Sequence, residues 1–304
     1  MSKVHVARAE RDRNPDVEAS GEAAHDLVLE FLNQITAELA AGPLNLPCFP
    51  DVVPRIRKAL SDPASTPDDV VRAAGTEPRL AARLLQTANS AVFNPAGKSA
   101  TNLRAAVTRL GHNLVQSVTM AFAVQQLKAE PTLRPVIEPL NRLWEKSIAV
   151  ASICQVLARQ LRVPADKVFL AGLLHGIGHF YILVRAAAGP KEVLADPILQ
   201  DFVVDWHPTI GQSVLEQWGF EPVMCAAVGS QYEYERAGKR PADLTDVVIA
   251  SVALAEALLD HDGDLGDCSG ISAFANLGLS EDELRATLVH THHSLGSLRE
   301  SLGC

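Results

Sequence analysis

The 304-residue sequence has no uninterrupted apolar run approaching the roughly 18 residues of a membrane span, so no membrane segment is expected. Residues 1–16 have no apolar core of the kind a secretory leader carries, and none is expected. The five cysteines, Cys48, Cys154, Cys225, Cys268 and Cys304, are scattered and form no C-x-x-C pair. That argues against a disulfide framework or a cysteine-based zinc site and for reduced thiols in a cytoplasmic protein. Aromatic residues make up only 5% of the chain, and no alternating apolar runs are flanked by Asn-Gly or Asp-Gly turns, so strands are not expected. There is no Walker A, no G-x-G-x-x-G and no G-x-S-x-G. Gly172, Gly176 and Gly178 sit in an apolar helical pattern, where they permit close packing or a kink. An excess of positive charge is also missing. The net charge is -9, the wrong sign for broad non-specific nucleic-acid binding, although residues 45–130 alone carry +4.

What is present is helical periodicity. Residues 1–24 are polar, show no period and read as a flexible tail. Leu27, Phe31, Ile35 and Leu39 then line one helical face, which Gly42-Pro43 ends. The prolines at 47 and 50 make residues 46–50 an extended connector. Thr66 is an N-cap followed by Pro67 and Asp69; Gly75 closes that helix and Pro78 opens the next. Asn102 or Thr101 can cap a helix through Leu110, with Gly111 as its stop, and a further helix runs through Val115, Val118, Phe122 and Leu127. Residues 129–139, with three prolines, read as a hinge between two helical halves. Beyond it come a helix over about 140–161, an apolar helix carrying Leu173, Leu174 and Ile177, a helix opened by Pro208 with Gly219 as its left-handed cap, and helices near 221–235, 243–260 and 280–300. The expected fold is all-α. A tail over 1–24 precedes an N-terminal helical subdomain over 25–135 and a second helical subdomain over 136–304.

Two ordered stretches resemble a known family. The first runs from Leu46-Pro47-Cys48-Phe49-Pro50 through Arg55-Ile56, Glu77-Pro78-Arg79-Leu80, Leu84 to Ala91, Leu103 to Val107 and Leu110-Gly111. The second holds Leu143-Trp144-Glu145-Lys146-Ser147, Phe169 to His179, His207, Gly211 and Trp218-Gly219-Phe220. Together, over about residues 44–260, they resemble the HDOD family, an output module of bacterial signalling proteins. The resemblance implies a helical fold related to the HD phosphohydrolases and a regulatory role.

In active HD proteins a His from one helix, an adjacent His-Asp pair and a later Asp hold a metal that supplies hydroxide and neutralises phosphate charge. The resemblance puts Lys146 at the first His, His175-Gly176 at the His-Asp pair, His179 at a usual lysine and Glu256 at the later acid. Ser230-Gln231-Tyr232 falls where many relatives have a His pair. An ammonium has no lone pair to give a metal, and Gly176 has no carboxylate. The pocket made by Lys146, His175, Gly176, His179 and Glu256 therefore reads as degenerate, with no catalytic residue, metal or cofactor expected. On charge alone, Lys146 can pair with Glu256 or Glu145. His175 and His179 are spaced i, i+4 on one predicted helix, which places them on one face, where with Glu256 they would make three candidate ligands.

The expected function is thus that of a non-catalytic signalling protein acting through protein partners. Its candidate binding surface is Arg79, Arg83, Asn89 and Ser90, where small polar residues at a helix end leave backbone groups free. Two alternatives stand beside it. One is nucleic-acid binding through residues 68–88, which read as helix-turn-helix with Arg79 and Arg83 on the second helix. The other is a divergent phosphohydrolase using His175, His179 and Glu256. His290, His292 and His293 read as solvated side chains of the last helix.

Overall fold

The computed structural model describes residues 15–41, 50–161, 163–236, 241–260, 265 and 270–302. The connector at 46–49, Gly42-Pro43, and Cys48, Cys268 and Cys304 lie outside the described residues. Among those described there are fourteen α-helices, one 3-10 helix and no strand.

Helix α1 (Pro15–Ala41) begins ten residues before the expected start and takes in residues 15–24 of the predicted tail. Asn14-Pro15-Asp16 is itself a helix-start pattern, a polar cap followed by proline at N1; the absence of an apolar period before residue 25 hid it. The buried face is Val28, Phe31 and Ile35. It packs on the second half of the chain, not on the N-terminal half to which the sequence assigned it. Glu38 anchors it there, accepting from the Tyr181 hydroxyl at 2.6 Å and from the Arg185 guanidinium.

The N-terminal half holds α2 (Val52–Ser61), α3 (Pro67–Gly75), α4 (Pro78–Asn89) and α5 (Leu103–Leu127). Thr66 caps α3 as expected, its N–H bonding the Asp69 carboxylate at 2.8 Å. The Asn102 side chain accepts from the Ala105 N–H at 2.8 Å at the start of α5. Gly111 interrupts the helix as expected: its φ and ψ are non-helical, and α5 is two helical runs joined across a kink there. It takes φ 68°, a region open to glycine, and the second run ends at Leu127. Within the proline-rich segment between α5 and the next helix, Pro131–Val136 forms a 3-10 helix with Leu133 and Val136 buried. Prolines fit a short 3-10 turn, where few backbone N–H groups are needed.

The second half holds α6 (Ile137–Leu161), α7 (Ala165–Leu174), α8 (Ile177–Ala187), α9 (Lys191–Ala195), α10 (Pro197–Gln217), α11 (Pro222–Gly229), α12 (Leu244–Asp260), α13 (Ser272–Leu277) and α14 (Glu281–Leu302). Helix α6 is central and packs against α7, α12 and α14, while α8 crosses α10. Leu173, Leu174 and Ile177 are core residues. One described segment, Ala165–Ala187, is long and apolar enough to cross a membrane by length and composition; it spans α7 and α8, and 89% of it is buried inside the fold.

Pro208 lies inside α10, which starts at Pro197 with the Asp196 carboxylate accepting from the Ile198 N–H at 2.9 Å. A proline in mid-helix leaves carbonyls one turn back short of donors. The carbonyl that Pro208 leaves without its helical donor is that of Val204; the His207 Nδ1 lies 2.8 Å from the carbonyl oxygen of the residue before it, Val203. Gly219 takes its expected left-handed conformation after α10.

The two halves share side-chain contacts. Asn113 donates to Asp166 at 2.7 Å, Phe93 meets Phe169 edge-on at 5.8 Å, and Arg57 stacks over Trp218 at 4.9 Å. The Thr87 hydroxyl of α4 donates to the Ser301 carbonyl of α14 at 2.6 Å.

Candidate functional site

Chain geometry brings Lys146 from α6, His175 and Gly176 from the break between α7 and α8, His179 from α8, His207 from α10, Tyr232 from the segment after α11 and Glu256 from α12 to one pocket. The break corrects the expectation that His175 and His179 share one helix face. Helix α7 ends at Leu174, His175 is its C-cap, and α8 starts at Ile177. Gly176, at φ -89° and ψ 8°, is where the helical path breaks. The freed His175 carbonyl accepts from the Gln231 Nε2 at 3.0 Å; Gln231, wholly buried, also donates to the Val228 carbonyl at 2.8 Å.

Two glycines set the ring positions. A Cβ on Gly178 would lie 2.0 Å from the His207 carbonyl oxygen and 2.5 Å from the Gly211 nitrogen, so α8 and α10 touch backbone to backbone. That contact brings the His179 and His207 rings to 5.7 Å between centroids. His207 then meets Tyr232 edge-on at 5.5 Å. His207 and Tyr232 were in view in the sequence but not placed in the pocket. The one signal for His207 was its spacing to Gly211 in the family pattern.

The Lys146 ammonium is 2.7 Å from the Glu256 carboxylate, 3.4 Å from the Tyr232 hydroxyl and 5.9 Å from the centre of the Tyr232 ring. The other carboxylate considered for it, Glu145, pairs with Arg299 instead. Burial works against the charge on Lys146, but Tyr232 and Glu256 outweigh it and hold its pKa above the ordinary lysine value. The imidazoles move the other way. Burial, then the Lys146 charge, push His175 down to about 3; burial, with His207 and Lys146, pushes His179 down to about 4; His207 is lowered chiefly by burial. His175 Nδ1 lies 2.8 Å from the Gly172 carbonyl oxygen.

The metal of the HD phosphohydrolases does not fit this set of side chains. Glu256, the acid in reach, is engaged by an ammonium, and no carboxylate accompanies His175. A Cβ on Gly176 would lie 2.7 Å from a Leu143 methyl, so leucine fills the space an aspartate there would enter. Among the described residues no three His, Cys, Asp or Glu side chains are gathered so as to hold a metal ion.

The proposed partner-binding residues fare unevenly. The Asn89 side chain donates to the Ala100 carbonyl at 2.9 Å and accepts from its N–H at 2.7 Å, clasping the ends of the loop after α4. Ser90 donates to the Thr87 carbonyl at 2.8 Å, and Arg109 donates to the Ala88 carbonyl at 3.0 Å. The helix end is therefore satisfied from within, and Asn89 and Ser90 cap and turn the chain. Arg79, exposed on the outer face of α4, reaches Gln126 at 3.3 Å, while Arg83 is half-buried beside it. His290, His292 and His293 are exposed on α14.

Comparison with known proteins follows the same lines. The chain is 26% identical to a candidate metal-dependent phosphohydrolase of Shewanella amazonensis SB2B, covering 92% of this chain and 99% of that one with a TM-score of 0.69. It shares its fold with an HDOD domain protein of unknown function from Geobacter sulfurreducens (21% identity, 92% and 97% covered, TM-score 0.56). The same holds for a candidate signal transduction protein of Marinobacter aquaeolei VT8 (20% identity, 91% and 66% covered, TM-score 0.55). Among curated proteins none matches. The HDOD domain family matches the chain over residues 46–234, which is more than half its length, and the chain belongs to that family.

Proposed function

We propose that this chain is a non-catalytic signalling or regulatory protein that acts by binding a protein partner in a bacterial pathway. The observation that carries the reading is the Lys146–Glu256 ion pair at 2.7 Å, in the position where hydrolysis would need a divalent ion. Catalysis of phosphoester cleavage calls for a metal-bound hydroxide and a positive centre facing the phosphate. Here the positive centre is spent on an internal carboxylate, and burial disfavours protonation of the three imidazoles around it. The name of the Marinobacter relative points to signal transduction and agrees with this role.

The outer face of α4, with Arg79 and Arg83, supports a partner surface in the N-terminal half, where the charge is +4 over residues 45–130. The test has two arms. Protein purified without chelators or a histidine tag is assayed for bound Mn, Fe, Zn and Mg and for hydrolysis of nucleotides and cyclic dinucleotides; no turnover is expected. Stoichiometric metal with turnover that disappears in His175→Ala would sink the non-catalytic reading. With a partner captured from native lysate, Arg83→Glu is expected to weaken binding and leave the melting temperature unchanged. Titration with DNA across salt concentrations supplies the contrast, because a nucleic-acid surface would give a steep salt slope.

A further inference from the structure

We infer that Lys146 is the resident cation of the pocket: it neutralises the carboxylate and cross-links the elements that meet there, the work a bound divalent ion would do, so that the pocket is formed without a metal. The inference rests on the non-catalytic reading above and adds what holds the pocket together in its place.

Three observations meet in this side chain. The first is reach. From α6, the ammonium contacts Glu256 on α12 at 2.7 Å and Tyr232 in the 230–236 segment at 3.4 Å, so one group ties three elements. The second is field. Lys146 bears on His175, His179 and His207 alike. A fixed positive charge beside imidazoles keeps them neutral. The third is volume. The Leu143 methyl lies 2.7 Å from where a Gly176 Cβ would stand, so the wall opposite is closed by an apolar group. A cation is kept, the space and the second carboxylate that a metal needs are absent, and Glu256, half-buried with 33% of its side chain exposed, has its charge answered within the chain. The shape of this pocket is then independent of metal supply, and whatever surface it shapes is presented constitutively.

The experiment is thermal unfolding of the full chain. Wild-type protein should melt at the same temperature with and without excess EDTA. Lys146→Met and Glu256→Gln should each lower the melting temperature by several degrees, and the double variant should recover most of that loss, since each single change strands the other charge. A melting temperature that falls in EDTA, or losses that simply add in the double variant, would each overturn the inference. Should Lys146→Met fail to fold, the EDTA comparison on wild-type protein still decides it. Metal-dependent turnover by the wild type would overturn the functional reading instead, so the two failures are separable.

Discussion

Gly178 and His207 are in backbone contact: a single Cβ on the glycine would lie 2.0 Å from the histidine's carbonyl oxygen. Contacts that short do not occur between real atoms, so the side chain at 178 is limited to hydrogen as long as α8 and α10 cross where they do. Gly178→Ala is therefore expected to destabilise the protein by about 3 kcal/mol or more, at the upper end of overpacking costs. Urea unfolding measures it, and the same variant should disturb the His179 and His207 ring resonances. A cost below about 0.5 kcal/mol, the scale of an ordinary surface change, would show that the crossing is looser than described.

The three pocket imidazoles make stability depend on pH with a definite sign. His175 and His179 titrate at about 3 and about 4 in the folded protein, against 6.5 when unfolded, and His207 is shifted in the same direction. Above about pH 6.5 neither state binds these protons and stability is full. As pH falls below that value the unfolded chain takes them up first, so stability declines down to the folded-state values near 4 and 3. The expected slope is about 1.4 kcal/mol per pH unit for each proton by which the states differ. Urea midpoints between pH 8 and pH 4 should trace this fall, and a midpoint constant over that range would contradict it.

Asn89 separates a structural role from a binding one. Its amide makes two hydrogen bonds to the Ala100 backbone. Asn89→Ala is expected to cost about 1–3 kcal/mol, because both backbone groups lose their partner. Arg83→Glu, which breaks no hydrogen bond in the fold, should stay within about 0.5 kcal/mol. Melting curves of the two variants side by side test the distinction.

Leu174 tests the core. It is 3% exposed at the end of α7, beside the break that positions His175. Leu174→Ala should cost about 2–5 kcal/mol by loss of transfer energy plus a residual cavity. A shift within about 0.5 kcal/mol would show that the α7–α8 corner is not packed as described.

Local chemistry was legible in the chain itself. The all-helical class, the Thr66–Asp69 cap, the Asn102 cap, the left-handed Gly219 and the burial of Leu173, Leu174 and Ile177 follow from side chains that act within one or two turns of themselves. So do the missing lone pair at Lys146 and the missing carboxylate at Gly176, which are properties of residue type. Tertiary structure decided what depends on distant neighbours. Pro208 reads locally as a helix start, yet α10 runs through it from Pro197, since packing on both sides outweighs the one or two backbone bonds that are disturbed. The apolar face of α1 was visible, but its partner, the surface anchored by Tyr181 and Arg185, was not. The break at His175-Gly176 could not be read from an unbroken apolar pattern; its freed carbonyl is satisfied by Gln231, 56 residues further along. The same reason puts His207 and Tyr232 in the pocket. Residue type says what a side chain can do, and only the crossing of α8 over α10, at a glycine, says which others it can do it with.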